Sequence, residues 1–220
     1  MCLSKKSNLR LGKNSLILLS QIIYKVDFPF YFMQLQDAIK KRQSIRKYLS
    51  KKPDWRKILR AIDMARFAPS AGGMFFMKFI LVSDSRKVAE ISEATAQSFV
   101  GNAHYIVVAV SDDSKLARSY GERGKRFSSQ QAGAAIENFL LALVEEGLVT
   151  TWVGYFDEDR VRRVLGIPDG LVVEAIFPIG LETKIRTKYK AKMPLENIIY
   201  FDKWGNKKME PQTRVSVESI

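Results

Sequence analysis

The stretch 131–146 constrains this chain more than any other. From Ala132 to Val144 it is apolar nearly all round, and Gly147 follows as a natural C-terminal stop. A helix with no polar stripe has to be enclosed by other elements rather than laid on a surface. Short apolar runs supply candidate covers. Tyr105–Val110 reads as a strand closed by Ser111-Asp112-Asp113, and Val172–Ile179 reads as the last core strand. Phe75–Val82, ending at Ser83-Asp84, and Thr150–Phe156 read as two more strands.

Helical patterns alternate irregularly with these runs. Residues 34–43 carry Leu35, Ala38 and Ile39 on one face. After Pro53-Asp54, Ile58, Ala61, Ile62 and Ala65 recur at helical spacing until Pro69 stops the pattern. Residues 86–97 read as a helix. A short one opens at Asp157-Glu158-Asp159, with acids at its positive end and Arg160, Arg162 and Arg163 further along, and closes at Gly166. The segment 115–130 is charged and holds Gly121 and Gly124, so it reads either as a mobile loop or as a charged helix. The order lacks the strict alternation of a doubly wound parallel sheet. The expected class is α+β, with a central mixed sheet of about four or five strands flanked by helices.

Residue counts remove whole mechanisms. The 220 residues include one cysteine, Cys2, and one histidine, His104. No internal disulfide can form, and a Cys/His zinc site is excluded, so no metal site is expected. Any triad would have to run through His104, which stands at the entrance to an apolar run and reads as a strand-end residue. A chain so poor in nucleophiles and bases suits chemistry carried by a bound cofactor. The net charge of +13 leaves two readings open, a lysine-rich surface that serves stability or a partner that is an anion, nucleic acid or membrane.

Residues 1–32 read as an N-terminal extension outside the functional domain, which is expected to span 33–220. Residues 15–32 are rich in Leu, Ile, Phe and Tyr, and Lys5, Lys6, Arg10 and Lys13 precede them. Ser20 and Gln21 interrupt the apolar part, Lys25 and Asp27 follow, and no small-residue cleavage pattern appears. The run is too short and too charged to span a bilayer, so no membrane association is expected and the location is expected to be cytoplasmic.

Three segments could hold a ligand. Arg42-Gln43-Ser44-Ile45-Arg46 places two guanidiniums and a hydroxyl at a spacing of two, which on an extended chain puts them on one face, as phosphate binding requires. The alternative is a solvated basic turn. Pro69-Ser70-Ala71-Gly72-Gly73 is a tight loop whose small residues let backbone groups approach a flat ligand, or simply connect a helix to a strand. Lys184, Arg186, Lys188, Lys190 and Lys192 alternate at period two and would share one face of an extended strand, as a phosphate site, a nucleic-acid stripe or a charged edge. There is no G-x-G-x-x-G and no Walker A sequence, so side chains would have to hold any nucleotide phosphate.

Taken in order, these pieces resemble the FMN-dependent nitroreductase family. The resemblance rests on the R-x-S-x-R pattern, the A-P-S-A-G loop and Gly133-Ala134-Ala135-Ile136-Glu137-Asn138. It continues through Thr151-Trp152-Val153-Gly154-Tyr155-Phe156, Leu165-Gly166-Ile167-Pro168, Pro178-Ile179-Gly180 and Lys190-Ala191-Lys192-Met193-Pro194-Leu195-Glu196, covering about residues 33–205. It implies an α+β homodimer with flavin at the dimer interface and an extended C-terminal tail that contributes to the dimer. It also implies NADH or NADPH as donor and a nitroaromatic, quinone or similar small acceptor. FMN phosphate would be held by Arg42, Gln43, Ser44, Lys190 and Lys192, with Arg46 near the flavin N1/O2 edge. The loop residues Pro69, Ser70, Ala71 and Gly72 would touch flavin, usually from the partner subunit. Gly154 would offer a backbone N–H near N5/O4, and Gln97 a polar contact to the pyrimidine edge. The flavin carries the chemistry, so no catalytic side chain is assigned.

The chain departs from the family pattern in two places. Many relatives continue the loop with Asn and a Gln-Pro-Trp segment, where this chain has Gly73-Met74-Phe75-Phe76-Met77. That puts one side-chain contact in doubt and predicts a more apolar pocket. Both C-terminal phosphate ligands are lysines, point charges rather than forks. Azoline dehydrogenation, dehalogenation and flavin fragmentation on the same fold stay open. So does a non-enzymatic basic protein that binds anions or nucleic acid, although the resemblance argues against nucleic acid.

Overall fold

The computed structural model describes residues 33–182 and 192–209. The chain divides into two compact units, Met1–Thr183 and Lys184–Ile220. In the first, the helices are α1 (Leu35–Lys41), α2 (Trp55–Ala65), α3 (Ser85–Thr95), α4 (Ser114–Tyr120), α5 (Glu122–Glu145) and α6 (Glu158–Leu165). The strands are β1 (Met77–Val82), β2 (Tyr105–Ser111) and β3 (Val172–Ile179), an antiparallel sheet in the order β1-β2-β3. In the second unit, a turn at Leu195–Asn197 precedes a Tyr200–Trp204 ring pair with centroids 4.7 Å apart, and Lys207 lies 4.3 Å from the centre of the Tyr200 ring.

The middle strand explains the layering. All seven residues of β2 are buried, and their side chains alternate between two cores. Tyr105, Val107 and Ala109 face α2 and α5, where they meet Ile58, Ala61, Ala135, Phe139 and Leu143. Ile106, Val108 and Val110 face α3 and α6, against Val88, Ile91 and Val161. The sheet is therefore sandwiched between helices on both faces. The apolar stretch 131–146 lies on the first face, where Phe139 sits edge-on to Phe177 at 5.4 Å between ring centres. Three helices open on an aspartate whose carboxylate accepts backbone N–H bonds, Asp54 for α2, Asp84 for α3 and Asp157 for α6.

The ladder between β2 and β3 is regular up to one β-bulge. Ala109 pairs with Ala175 and Val110 with Val173, so Glu174 is the extra residue. The bulge turns Val173 to the α3/α6 face, while Ala175 faces α2 and α5.

Three sequence expectations are corrected. The mixed sheet expected to have four or five strands is, among the described residues, an antiparallel sheet of three. Thr150–Phe156 is not a continuous strand: it meets β3 at the isolated bridge Val153 with Ile176, and just before it Val149 bridges Gly180, the residue after β3. Trp152, Gly154 and Tyr155 stay exposed between and beyond them, which gives the run too few buried contacts to form a ladder. The segment 115–130 is a helix–helix elbow, so the charged-helix alternative holds and the loop alternative does not. Gly121 forms the corner at φ 57°, ψ −138°. Gly124 lies inside α5, and glycine is needed there because a Cβ would lie 2.2 Å from the Leu116 carbonyl oxygen. The glycines mark a tight turn and a close backbone approach.

Candidate functional site

After α1, the chain extends over residues 42–49 and runs beside the 149–153 segment. Ser44 bridges Thr150 in parallel, and the Ile45 N–H donates to the Thr150 carbonyl at 2.9 Å. The Ile45 carbonyl accepts two side-chain bonds, from the Thr151 hydroxyl at 2.6 Å and the Tyr48 hydroxyl at 3.0 Å. Burial holds the Tyr48 phenol well above its ordinary pKa, so it remains a donor. Ile45 itself is buried. Anchoring of this one residue fixes its neighbours Ser44 and Arg46 on the exposed side.

The cations at this edge are loosely held. The Arg42 Nε lies 3.6 Å from a carboxylate oxygen of Glu137 on α5. That separation leaves its fork available to a stronger acceptor. The Arg46 guanidinium lies over the Phe99 ring at 5.4 Å, within the turn that Gln97 begins. Gln43 is half-buried and has its own partner. Thr150 Oγ1, beside the Ser44 position, is buried and has no hydrogen-bond partner among the described residues. Such an orphaned hydroxyl costs about 1–3 kcal/mol unless something pairs with it.

The fold thus gathers Arg42, Ser44, Arg46 and the Gln97 turn around the segment that leads to Gly154. The loop Pro69–Gly72 makes different contacts. Gly72 has φ +59°, and a Cβ there would fall 2.7 Å from the Tyr120 hydroxyl at the α4–α5 elbow. Lys190 lies outside the described residues, and Lys192 lies in the second unit. Glu137, Phe99, Thr150, Tyr48 and Tyr120 were not singled out by sequence reasoning. Glu137 falls inside a quoted motif and Tyr48 lies two residues beyond another, but nothing in the spacing told them apart from ordinary helix and loop residues.

The first unit is thus a mixed helix-and-sheet fold with a cationic, hydroxyl-bearing edge at residues 42–46. The sequence pattern of the nitroreductase family matches residues 39–99 and 90–181, so the chain belongs to that family. A Methanothermobacter thermautotrophicus protein provisionally named NADH dehydrogenase/NAD(P)H nitroreductase is 31% identical, over 73% of this chain and 83% of its own length. The crystal structure of a nitroreductase family protein from Clostridium novyi NT is 32% identical with TM-score 0.64, covering 82% of this chain and 100% of that one. The structure of an FMN-dependent nitroreductase from Clostridium difficile R20291 has TM-score 0.65 at 24% identity, over 76% of this chain and 98% of its own. Among the described residues no helix is long and apolar enough to cross a membrane.

Proposed function

We propose that the protein is a flavin-dependent oxidoreductase that binds FMN and uses NADH or NADPH to reduce nitroaromatic, quinone or similar electrophilic acceptors. The observation that carries this reading is the 42–46 segment. Its two guanidiniums and one hydroxyl lie on the exposed side of a chain anchored through Ile45, inside the stretch the family pattern matches. The donor set suits a phosphate, and the Arg42 fork is released by breaking only one long contact. The relative named for NAD(P)H and the structure named for FMN support the choice of donor and cofactor.

In this reading Arg42, Gln43 and Ser44 hold the phosphate, and Lys190 and Lys192 complete the grip. The Arg46 cation stands at the pyrimidine edge, where it stabilises negative charge on reduced flavin. The Gly154 N–H and the Gln97 side chain orient the ring system. Pro69, Ser70, Ala71 and Gly72 close on its face, from the partner subunit of a homodimer. When bound, FMN would supply the hydride relay between the nicotinamide donor and the acceptor. The functional domain is taken to begin near Met33.

A visible spectrum of the purified protein tests the cofactor, since flavin bands should persist through gel filtration. Titration with FMN tests the site. Arg42→Ala should weaken binding on the order of tenfold or more, the loss of one charge-assisted contact. Full FMN affinity in Arg42→Ala or Lys190→Ala would sink the phosphate assignment.

A further inference from the structure

The α4–α5 elbow is a charged segment to which the proposed function gives no role. It is packed directly against the proposed flavin loop. Tyr120 reaches Gly72, and Lys115 lies 5.4 Å from the centre of the Phe76 ring just beyond the loop. Tyr120 and Phe127 meet edge to face at 5.4 Å between ring centres, with Tyr120 exposed. This pair forms an aromatic wall at the loop. Arg123 stands one helical turn before Phe127 on α5 and Arg126 directly precedes it, and both are exposed and show no ion pair among the described residues. Lys125 is engaged with Glu122 at 3.4 Å. Cations in the opening turns of a helix oppose its dipole, so helix stability does not explain their place there.

We propose that this elbow binds the anionic group of an aromatic redox substrate. Tyr120 and Phe127 meet the ring, and Arg123 and Arg126 receive the charge. The chemistry is a carboxylate, sulfonate or phosphate carried on or near a planar ring. Two sources carry it, an acidic substituent on the electron acceptor or the phosphates of the nicotinamide donor. The inference rests on the flavoenzyme reading above and adds the substrate class.

The test uses FMN-loaded protein. In the acceptor arm, 4-nitrobenzoate and 4-nitrobenzyl alcohol are compared at saturating NADH by kcat/KM. Each is also titrated against the oxidised protein by flavin difference spectra. In the donor arm, NADH is compared with N-benzyl-1,4-dihydronicotinamide, which lacks phosphates, using the neutral alcohol as acceptor. The anionic member of one pair should be preferred, and the preference should shrink as salt rises. Arg123→Glu and Arg126→Glu should each cut the anionic-to-neutral ratio on the order of fivefold. Lys87→Glu, on α3 across the sheet, makes the same change in net charge and controls for it. A preference in the first arm assigns the acceptor and in the second the donor. Turnover with no charge preference in either arm overturns the inference and leaves the flavoenzyme reading standing. So does an equal effect of Lys87→Glu. A protein that binds no FMN overturns both.

Discussion

Gly180→Ala would test how the phosphate-binding edge is held in place. Gly180 pairs with Val149 in an isolated bridge, and its backbone is outside the left-handed region, so conformation alone would admit alanine. Space would not. A Cβ there would lie 2.4 Å from Tyr48 Cδ1, 2.6 Å from Cγ and 2.7 Å from Cβ. These atoms are the root of the side chain rather than its far end, so a rotamer change cannot relieve the clash and the 44–48 backbone has to move. Overpacking of this kind costs about 1–3 kcal/mol. The lost freedom of glycine in the unfolded chain returns roughly 0.4–1 kcal/mol. A net destabilisation of roughly 0–2.6 kcal/mol, centred near 1.3, is expected by urea denaturation. Because Tyr48 donates to the Ile45 carbonyl at 3.0 Å, the shift reaches Ser44 and Arg46, and FMN affinity should fall as well. The decisive comparison is the double variant. With Tyr48→Gly in place all three obstructing atoms are gone, and Gly180→Ala should become neutral or mildly stabilising. An equal penalty in both backgrounds would refute the steric argument.

Other consequences are open to direct measurement. Arg60 on α2 meets Glu146 in a two-pronged contact of 2.5 and 2.7 Å, with both side chains about one-fifth exposed, and Lys57 caps the Glu146 carbonyl. Arg60→Ala should cost about 1–3 kcal/mol in denaturant unfolding, and a loss under ~0.5 would show the contact idle. Glu174 has its pKa raised, chiefly by burial, with the Ser111 hydroxyl opposing and the charges of Asp113 and Glu158 adding to the rise. The folded state therefore holds this proton more tightly than the unfolded chain, and stability is lost as pH rises from the ordinary value of 4.5 through the folded value. Glu174→Gln removes that slope, so its stability relative to the parent should improve between pH 4 and pH 8, and a pH-independent difference would count against it.

Much of the frame was legible because burial writes local patterns. Ile58, Ala61, Ile62 and Ala65 announced α2, and Val172–Ile179 has the bounds expected of the last strand. The elbow was ambiguous because Gly121 and Gly124 look alike in sequence, while only one turns the chain and the other clears a path for Leu116. At the candidate site, the spacing of Arg42, Ser44 and Arg46 was visible, but what orients them was not. Thr151 lies 106 residues from Ile45 and Glu137 lies on another helix, and contacts over such distances leave no periodic trace. The loop Pro69–Gly72 was read for its small residues. That it meets Tyr120 depends on how α4 packs, which no local signal encodes.

The extra residue in β3 has a consequence for how the chain finds its alignment. In a strand with one wet face, polarity punishes a slip of one position, because every apolar side chain would turn to water. β2 has no wet face, so a slipped pairing would exchange one greasy surface for another and meet no such penalty. The bulge at Glu174 supplies the missing reference mark. It allows one alignment in which Val173 falls among Val88 and Ile91 while Ala175 falls opposite Ala109, and it places a carboxyl group against Ser111, where a slipped ladder would offer a valine. A defect in the ladder thus acts as the ruler by which the two cores are told apart.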